Sequence, residues 1–448
     1  MKKKVLAIFL ATTMALSLAA CGSSAETAES ETTESAASET ADAAAESGEE
    51  TAQASAEAVT INFSFDQGVG EPTQKIVDDF NASQDEVYVN CVILPQDAGA
   101  VHDDFVNKLA SEDTSVDVMA LDVTYVAEFG AADWLLDLGD YFDSATTDQY
   151  LEGTIDGATY NGKLVAFPWF TNASALFYRA DVLEELGVTE VPATYEEWEA
   201  LAEKAQGVNG IEYLASFQAA QGESMVCDWV EFLWNHGGEV LNEDGTPNIN
   251  SEANIRGTQK MVDWVNQYAP EGVTTYTETE SEQVFLAGKS LLIRDWSGFW
   301  SSANAEGSDV AGKVGVTTLP VGEGGEEGHS CLGGLDLVVN KYIDDAHKDA
   351  AIKFITYMTS YETEKAMTLI AAQPPVLKAV YEDAEILEAI PFYADFYNVI
   401  QGGKGRPLSP SYSKLSDAIQ RNVHEALTGE VTVEDALNAL QAEAESLQ

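Results

Sequence analysis

The sequence predicts an α/β protein of two lobes, each a sheet covered by helices. From residue 59 onward, strand-like and helix-like stretches alternate at the spacing of strand–helix–strand units, which argues for parallel pairing. About 390 residues follow residue 58, enough for two hydrophobic cores. No repeat of solenoid length runs through them.

The residues Val59-Thr60-Ile61-Asn62-Phe63-Ser64-Phe65 alternate with the period of a strand. A glycine-containing loop then leads to an amphipathic helix over 72–81. Residues 87–94 predict a second strand, and 102–111 a helix with Phe105, Val106 and Leu109 on one face. A short apolar strand over 116–121 precedes a helix over 124–131. Two further apolar stretches cover 166–170 and 175–178, and a helix over 194–205 begins at Thr194, a residue type suited to the N-cap. Helices follow over 225–237, 252–268 and 282–287. Residues 290–294 form a strand that runs into Trp296. Strands over 315–319 and 332–340 are separated by a Gly- and Glu-rich turn, and the remainder is mostly helical.

The first 58 residues stand apart from this pattern. Lys2, Lys3 and Lys4 precede an apolar run over 5–20, too short and too closely followed by polar sequence to span a membrane convincingly. The run ends in Leu18-Ala19-Ala20-Cys21, which resembles the lipobox of bacterial lipoproteins. The resemblance implies a signal peptide over 1–20 and a lipid on Cys21; the alternative is an ordinary secretory signal that ends near a cysteine. Residues 22–58 hold no Lys, Arg or aromatic side chain, so they cannot bury enough apolar surface to offset chain entropy. They predict a disordered acidic tether over 21–58.

Only 22 Lys and Arg face 76 Asp and Glu, a formal net charge of −54. Phosphate backbones and anionic membranes would be repelled, which excludes nucleic acid as a partner and leaves the lipid as the membrane anchor. Much of this charge reads as a solvated surface. Setting Cys21 aside, Cys91, Cys227 and Cys331 remain, an odd count that cannot close fully within one chain; small buried hydrophobes are the favoured reading. Five scattered histidines give no HExxH pattern and no Cys/His spacing suggests zinc, so no metal or cofactor is expected.

Several segments resemble bacterial solute-binding proteins for carbohydrates, in look nearest to trehalose/maltose-binding proteins. They are DVMALDVTYVAEFGAADWLLDL (117–138), NGKLVAFPWFTNASALFYRADVLEELG (161–187), SMVCDWVEFLWNHGG (224–238), TYTETESEQVF (275–285), IRDWSGFW (293–300), LGGLDLVVN (332–340) and RPLSPSYSKLSDAIQRNVHEALTGEVTVEDAL (406–437). They span nearly all of the body in the family's order. The resemblance implies a two-lobe periplasmic-binding-protein-like fold of type II. Its N-terminal lobe would be 59–168 with 320–372, and its C-terminal lobe 169–319 with 373–448. Chain crossings would fall near 168–172, 319 and 373, with the ligand between the lobes. It further implies a monomer that delivers a di- or oligosaccharide to the permease of an ABC transporter.

A sugar presents C–H faces that stack on aromatic rings and hydroxyls that both donate and accept, so a site pairs rings with Asp, Asn, Glu or Arg. Asp122 follows a strand, where open α/β sheets bind ligands; the family also places a sugar-binding Asp here, and an N-cap is the plainer role. Phe170 and Asn172 lie in PWFTN at the first crossing, with Asn172 where the family commonly has Asp. Since Trp169 alternates with Phe170, one of the two faces the cleft. Trp296, at a strand end, is a stacking platform or a core residue. Gly333 and Gly334 would let the backbone approach a ligand; Leu335 follows where the family often has an aromatic ring. Arg406 matches a family Arg that reaches the sugar, or else forms a surface salt bridge. Glu71, in the loop after the first strand, is a weaker candidate, and His102 is the nearest substitute for a basic residue of the family. The alternatives are a receptor for a cation such as a polyamine, and a surface glycoside hydrolase, although no motif marks a catalytic carboxylate pair.

Overall fold

The computed structural model describes residues 58–242 and 244–447. The expected signal peptide, Cys21 and the tether as far as residue 57 lie outside the described residues. β1 (Val59–Asp66) pairs in parallel with β2 (Val87–Leu94) along its whole length. Parallel neighbours need a crossover. The helix Gly70–Ser83 supplies it and buries Ile76, Val77 and Phe80. The helix Ala98–Ala110 buries Phe105 and Leu109 and leads to β3 (Val118–Asp122), which is parallel to β1. A hairpin of β4 (Thr159–Tyr160) and β5 (Lys163–Leu164) precedes β6 (Phe167–Arg179). Five strands follow: β7 (Tyr213–Ser216), β8 (Ser290–Trp296), β9 (Val314–Thr317), β10 (Cys331–Val339) and β11 (Lys404–Gly405).

Among the described residues, nine strands form one sheet in the order β2–β1–β3–β10–β6–β8–β7, with β11 beside β10 and β9 beside β6. The two apolar stretches expected at 166–170 and 175–178 are thus a single strand, β6, interrupted in polarity by Thr171 and Asn172. Those residues lie near its change of partners. Phe167–Ala173 face β10, whereas Ser174–Tyr178 face β8 and Leu176–Arg179 face β9. The expectation of parallel sheets needs correcting. β1, β2 and β3 are parallel, as are β7 and β8, but β10 runs antiparallel to both β3 and β6. Sequence spacing reveals parallel strands joined by local crossovers; a strand that returns from far downstream carries no such mark.

Beyond the crossing, Trp198, Trp229, Leu292, Ile419 and Leu437 share one core, while Phe63, Phe65, Phe167 and Phe354 share another. Thr194 caps the helix Tyr195–Ala205 in a reciprocal capping box with Glu197. A second box, Thr277 with Glu280, starts the helix Glu278–Leu286 a turn earlier than expected. Its first turn is polar, so hydrophobic periodicity does not detect it. Cys91, Cys227 and Cys331 are free thiols, and the last two are buried.

Asp336 of β10 is an exception to the apolar core. It is 2% exposed, its Oδ2 has no hydrogen-bond partner, and burial together with Asp122 pushes its carboxyl up to about 8. Because the folded pKa exceeds the unfolded one, the native state holds a proton that the unfolded chain has released. Stability attributable to this group therefore falls as pH rises from about 4 to about 8. Asp336→Asn should narrow the loss of stability between about pH 5 and about pH 8 by on the order of 2 kcal/mol. Thermal or urea melts at the two pH values test this; a variant that loses as much stability as wild type would show that Asp336 does not titrate in this window.

Candidate ligand-binding site

The carboxyl ends of β1 and β3, the crossing segment of β6, the end of β8 and the start of β10 open onto one cavity of about 790 Å³. This size is ordinary for a small-molecule site. All eight candidates, Glu71, Asp122, Phe170, Asn172, Trp296, Gly333, Gly334 and Arg406, line it, as does His102.

Asp122 fills both roles that its position allows. Its Oδ1 accepts from Thr124 N at 2.9 Å and Thr124 Oγ1 at 2.6 Å, capping the short helix after β3. The same carboxylate takes Arg406 Nη2 at 3.2 Å. Arg406 is not a surface residue: it is 3% exposed, and its Nη1 donates to Glu223 at 2.6 Å. Burial opposes the guanidinium charge, but Asp122, Tyr412 and Glu223 are among the groups that outweigh it, so the pKa is raised. Glu223 opens the helix Glu223–Trp234 and also accepts from Tyr412 at 2.5 Å and from Ser416. One guanidinium therefore ties the end of β3 to two helices.

Phe170, not Trp169, faces the cavity; Trp169 packs into the core. The Asn172 Oδ1 accepts from Ser297 Oγ at 2.7 Å, fastening β6 to the segment after β8. Trp296 rests one face on the Arg294 guanidinium, 4.5 Å from the ring centroid. Arg294 is held in turn by Glu231 at 2.7 Å and Asp228 at 3.2 Å. The glycine pair is required by its neighbours in the protein. A Cβ on Gly334 would lie 2.3 Å from the Phe170 carbonyl oxygen, and its φ of +133° suits only glycine. A Cβ on Gly333 would crowd the Trp296 ring at 3.3 Å.

Glu71 sits in the first turn of the helix Gly70–Ser83, not in a loop. His102 is sandwiched between Glu128 at 3.2 Å and Asp103 at 3.1 Å; burial works against its charge, but the two carboxylates raise its pKa. Sequence reasoning did not single out Glu223, Tyr276, Glu278, Glu282, Asp295 or Gln373, which also line the cavity. Glu278 and Glu282 are one helical turn apart, a spacing that puts both on one face, but that signal needs the earlier helix start to be noticed.

This architecture has counterparts among known proteins. Residues 66–365, 300 of the 448, match the bacterial extracellular solute-binding protein family. A probable ABC transporter-binding protein of Deinococcus radiodurans is 30% identical over 401 residues, covering 87% of this chain and 94% of that one. Maltose-bound MalE3 of T. maritima superposes with a TM-score of 0.83 at 38% identity, covering 87% of this chain and 100% of that one. A solute-binding protein of Agrobacterium radiobacter K84 in complex with ribitol gives a TM-score of 0.80 at 25% identity, covering 87% and 99%. The fold is accordingly the two-lobe fold of these binding proteins, and the chain belongs to the bacterial extracellular solute-binding protein family.

Proposed function

We propose that this protein is an extracytoplasmic receptor, not an enzyme, that captures a di- or oligosaccharide and presents it to the permease of an ABC importer. The observation that carries the reading is the ring of Trp296, backed by Arg294 on one face, in a cavity whose walls alternate aromatic rings with Asp, Asn, Glu and Arg. Rings take the C–H faces of a sugar and the polar groups take its hydroxyls. The relatives are named as binding proteins, and the T. maritima protein holds maltose. The roles assigned to Asp122, Phe170, Asn172, Gly333, Gly334, Arg406 and Glu71 belong to this proposal, as do the lobe limits 59–168 with 320–372 and 169–319 with 373–448. Calorimetry with maltose, maltotriose and other neutral oligosaccharides tests it. A sugar that binds wild type should lose on the order of 2 kcal/mol, roughly 30-fold, on Trp296→Ala. Unchanged affinity in a folded variant would remove Trp296 from the site, and no binding by any sugar would remove the sugar.

Closure would be the signal that the permease reads. A ligand that touches both lobes binds the closed state better and shifts the population toward it. Small-angle scattering of residues 59–448 should show a smaller radius of gyration with saturating sugar. An identical profile would rule out closure as the signal.

The anchor rests on Lys2–Lys4, the apolar run and Leu18-Ala19-Ala20-Cys21. Cys21→Ala should release the protein from membranes or leave its signal uncleaved, as read by fractionation and mass spectrometry. Retention of a processed variant after detergent-free washing would count against lipidation.

A further inference from the structure

Two of the three thiols among the described residues meet in the interior. Cys227 lies on the helix Glu223–Trp234, and Cys331 is the first residue of β10. They are 2% and 0% exposed and belong to the same core. Glu231, one helical turn beyond Cys227 on the same face, accepts from Cys331 N at 2.8 Å, which lays the start of β10 along that face. The sulfurs are in contact there: the Cys227 thiol donates to Cys331, whose own S–H donates to Leu332 O at 3.7 Å. Cys91 stands apart. It sits on β2, packs against the other core and is only part-buried. By position, the odd cysteine count divides into one pair and one remainder.

The setting makes the pair more than core filling. The chain belongs to an extracellular family, and outside the cytoplasm thiols held in contact are open to oxidation. The pair also closes a loop of roughly 100 residues, and long loops are where a cross-link restricts the unfolded chain most. β10 starts in the core of Trp198 and Trp229 and ends, through Leu337 and Val339, in that of Phe63 and Phe167. Fastening its first residue to the helix holds the strand at the end next to Gly333 and Gly334, where it borders the cavity.

We propose that Cys227 and Cys331 are a disulfide site: the exported chain closes them into a bond by exchange with a disulfide donor, anchoring β10 to the helix Glu223–Trp234. One cysteine thiolate attacks the S–S bond of the donor, a mixed disulfide forms and one donor thiol leaves. The second cysteine thiolate displaces the other donor thiol, and the Cys227–Cys331 bond forms. The two cysteine sulfurs lose two electrons in total, the donor gains them, and two protons pass to its thiols. In the folded chain, Cys331 and burial hold the Cys227 thiol well above its ordinary range, so little thiolate is available for attack. Closure therefore belongs to folding, before the core seals.

The test uses the full chain, reduced and unfolded in urea, then refolded with oxidised and reduced glutathione or with dithiothreitol alone. Remaining thiols are blocked with N-ethylmaleimide, and peptides are mapped by mass without reduction. The glutathione sample should yield a linked Cys227–Cys331 peptide. Its melting temperature should exceed that of the dithiothreitol sample by roughly 5 °C, and the difference should vanish in Cys227→Ala. The wild-type comparison decides the matter should the variant fold poorly. Both cysteines blocked after refolding in glutathione, or either linked to Cys91 or Cys21 instead, would overturn the proposal. So would a linked form that melts no higher than the reduced one, since a link that strains the fold does not anchor β10. None of these results bears on what the cavity binds.

Discussion

A single strand has to satisfy its backbone hydrogen bonds with two sets of partners, and the site follows from where it changes between them. β6 serves β10 as far as Ala173, and β8 and β9 from Ser174 onward. Unpaired backbone groups inside a fold are costly, so the switch must be abrupt. Abruptness brings the ends of β8 and β10 together around residues 170–174. Thr171 N donates to Pro374 O at 3.2 Å, which adds a third chain segment at the same point. Three segments crowded side by side leave no room for a Cβ at Gly334. The cavity lies against this junction, where Phe170, Asn172, Trp296, Gly333, Gly334 and Pro374 all line it.

Two buried guanidiniums set the chemistry of that space. Removing an arginine from water is affordable only with carboxylate partners in good geometry, and both have them: Arg406 with Asp122 and Glu223, Arg294 with Asp228 and Glu231. Each pairing has a consequence at the cavity wall. Arg406 restrains the Asp122 carboxylate that also caps the helix after β3, so that oxygen is positioned from two directions. Arg294 lies over the ring of Trp296, which lines the cavity, and a cation over a ring adds attraction of its own. Neither arginine would hold these positions as a lysine, which lacks the planar fork.

Much of the fold was legible because local signals agreed with the tertiary outcome. The alternation in 59–65 became β1, and Thr194 became the cap that its residue type suggested. What escaped the sequence depended on long-range geometry or on polar helix starts. The direction of β10 is fixed by neighbours far away in the chain. The polarity of Thr171 and Asn172 split β6 into two apparent pieces because a crossing strand has no single solvent face. Of the residues that line the cavity, Phe170, Trp296, Gly333, Gly334, Asp122 and Arg406 were named from the sequence, where rings, glycines and arginine are scarce enough to stand out. Glu278, Glu282 and Asp295 were not, because 76 acidic residues offer no contrast to mark three of them.

That lack of contrast disguises a physical distinction. A net charge of −54 spread over a surface is screened within about 10 Å at ordinary salt and needs no partner. The same charge on a cavity wall lies against low-dielectric protein, where like charges repel over the same distance far more strongly. The described acids therefore fall into two populations that composition cannot separate. Glu86, for instance, is exposed and paired with Lys353, and that lysine holds its pKa below the ordinary value. Glu282 is pushed the other way by burial and Glu278, and Asp295 by burial and both glutamates. Surface acids of the first kind keep the protein soluble whatever it binds. Burial and neighbouring acids make Glu282 and Asp295 hold their protons more readily than the surface acids do, so the two populations answer differently to pH.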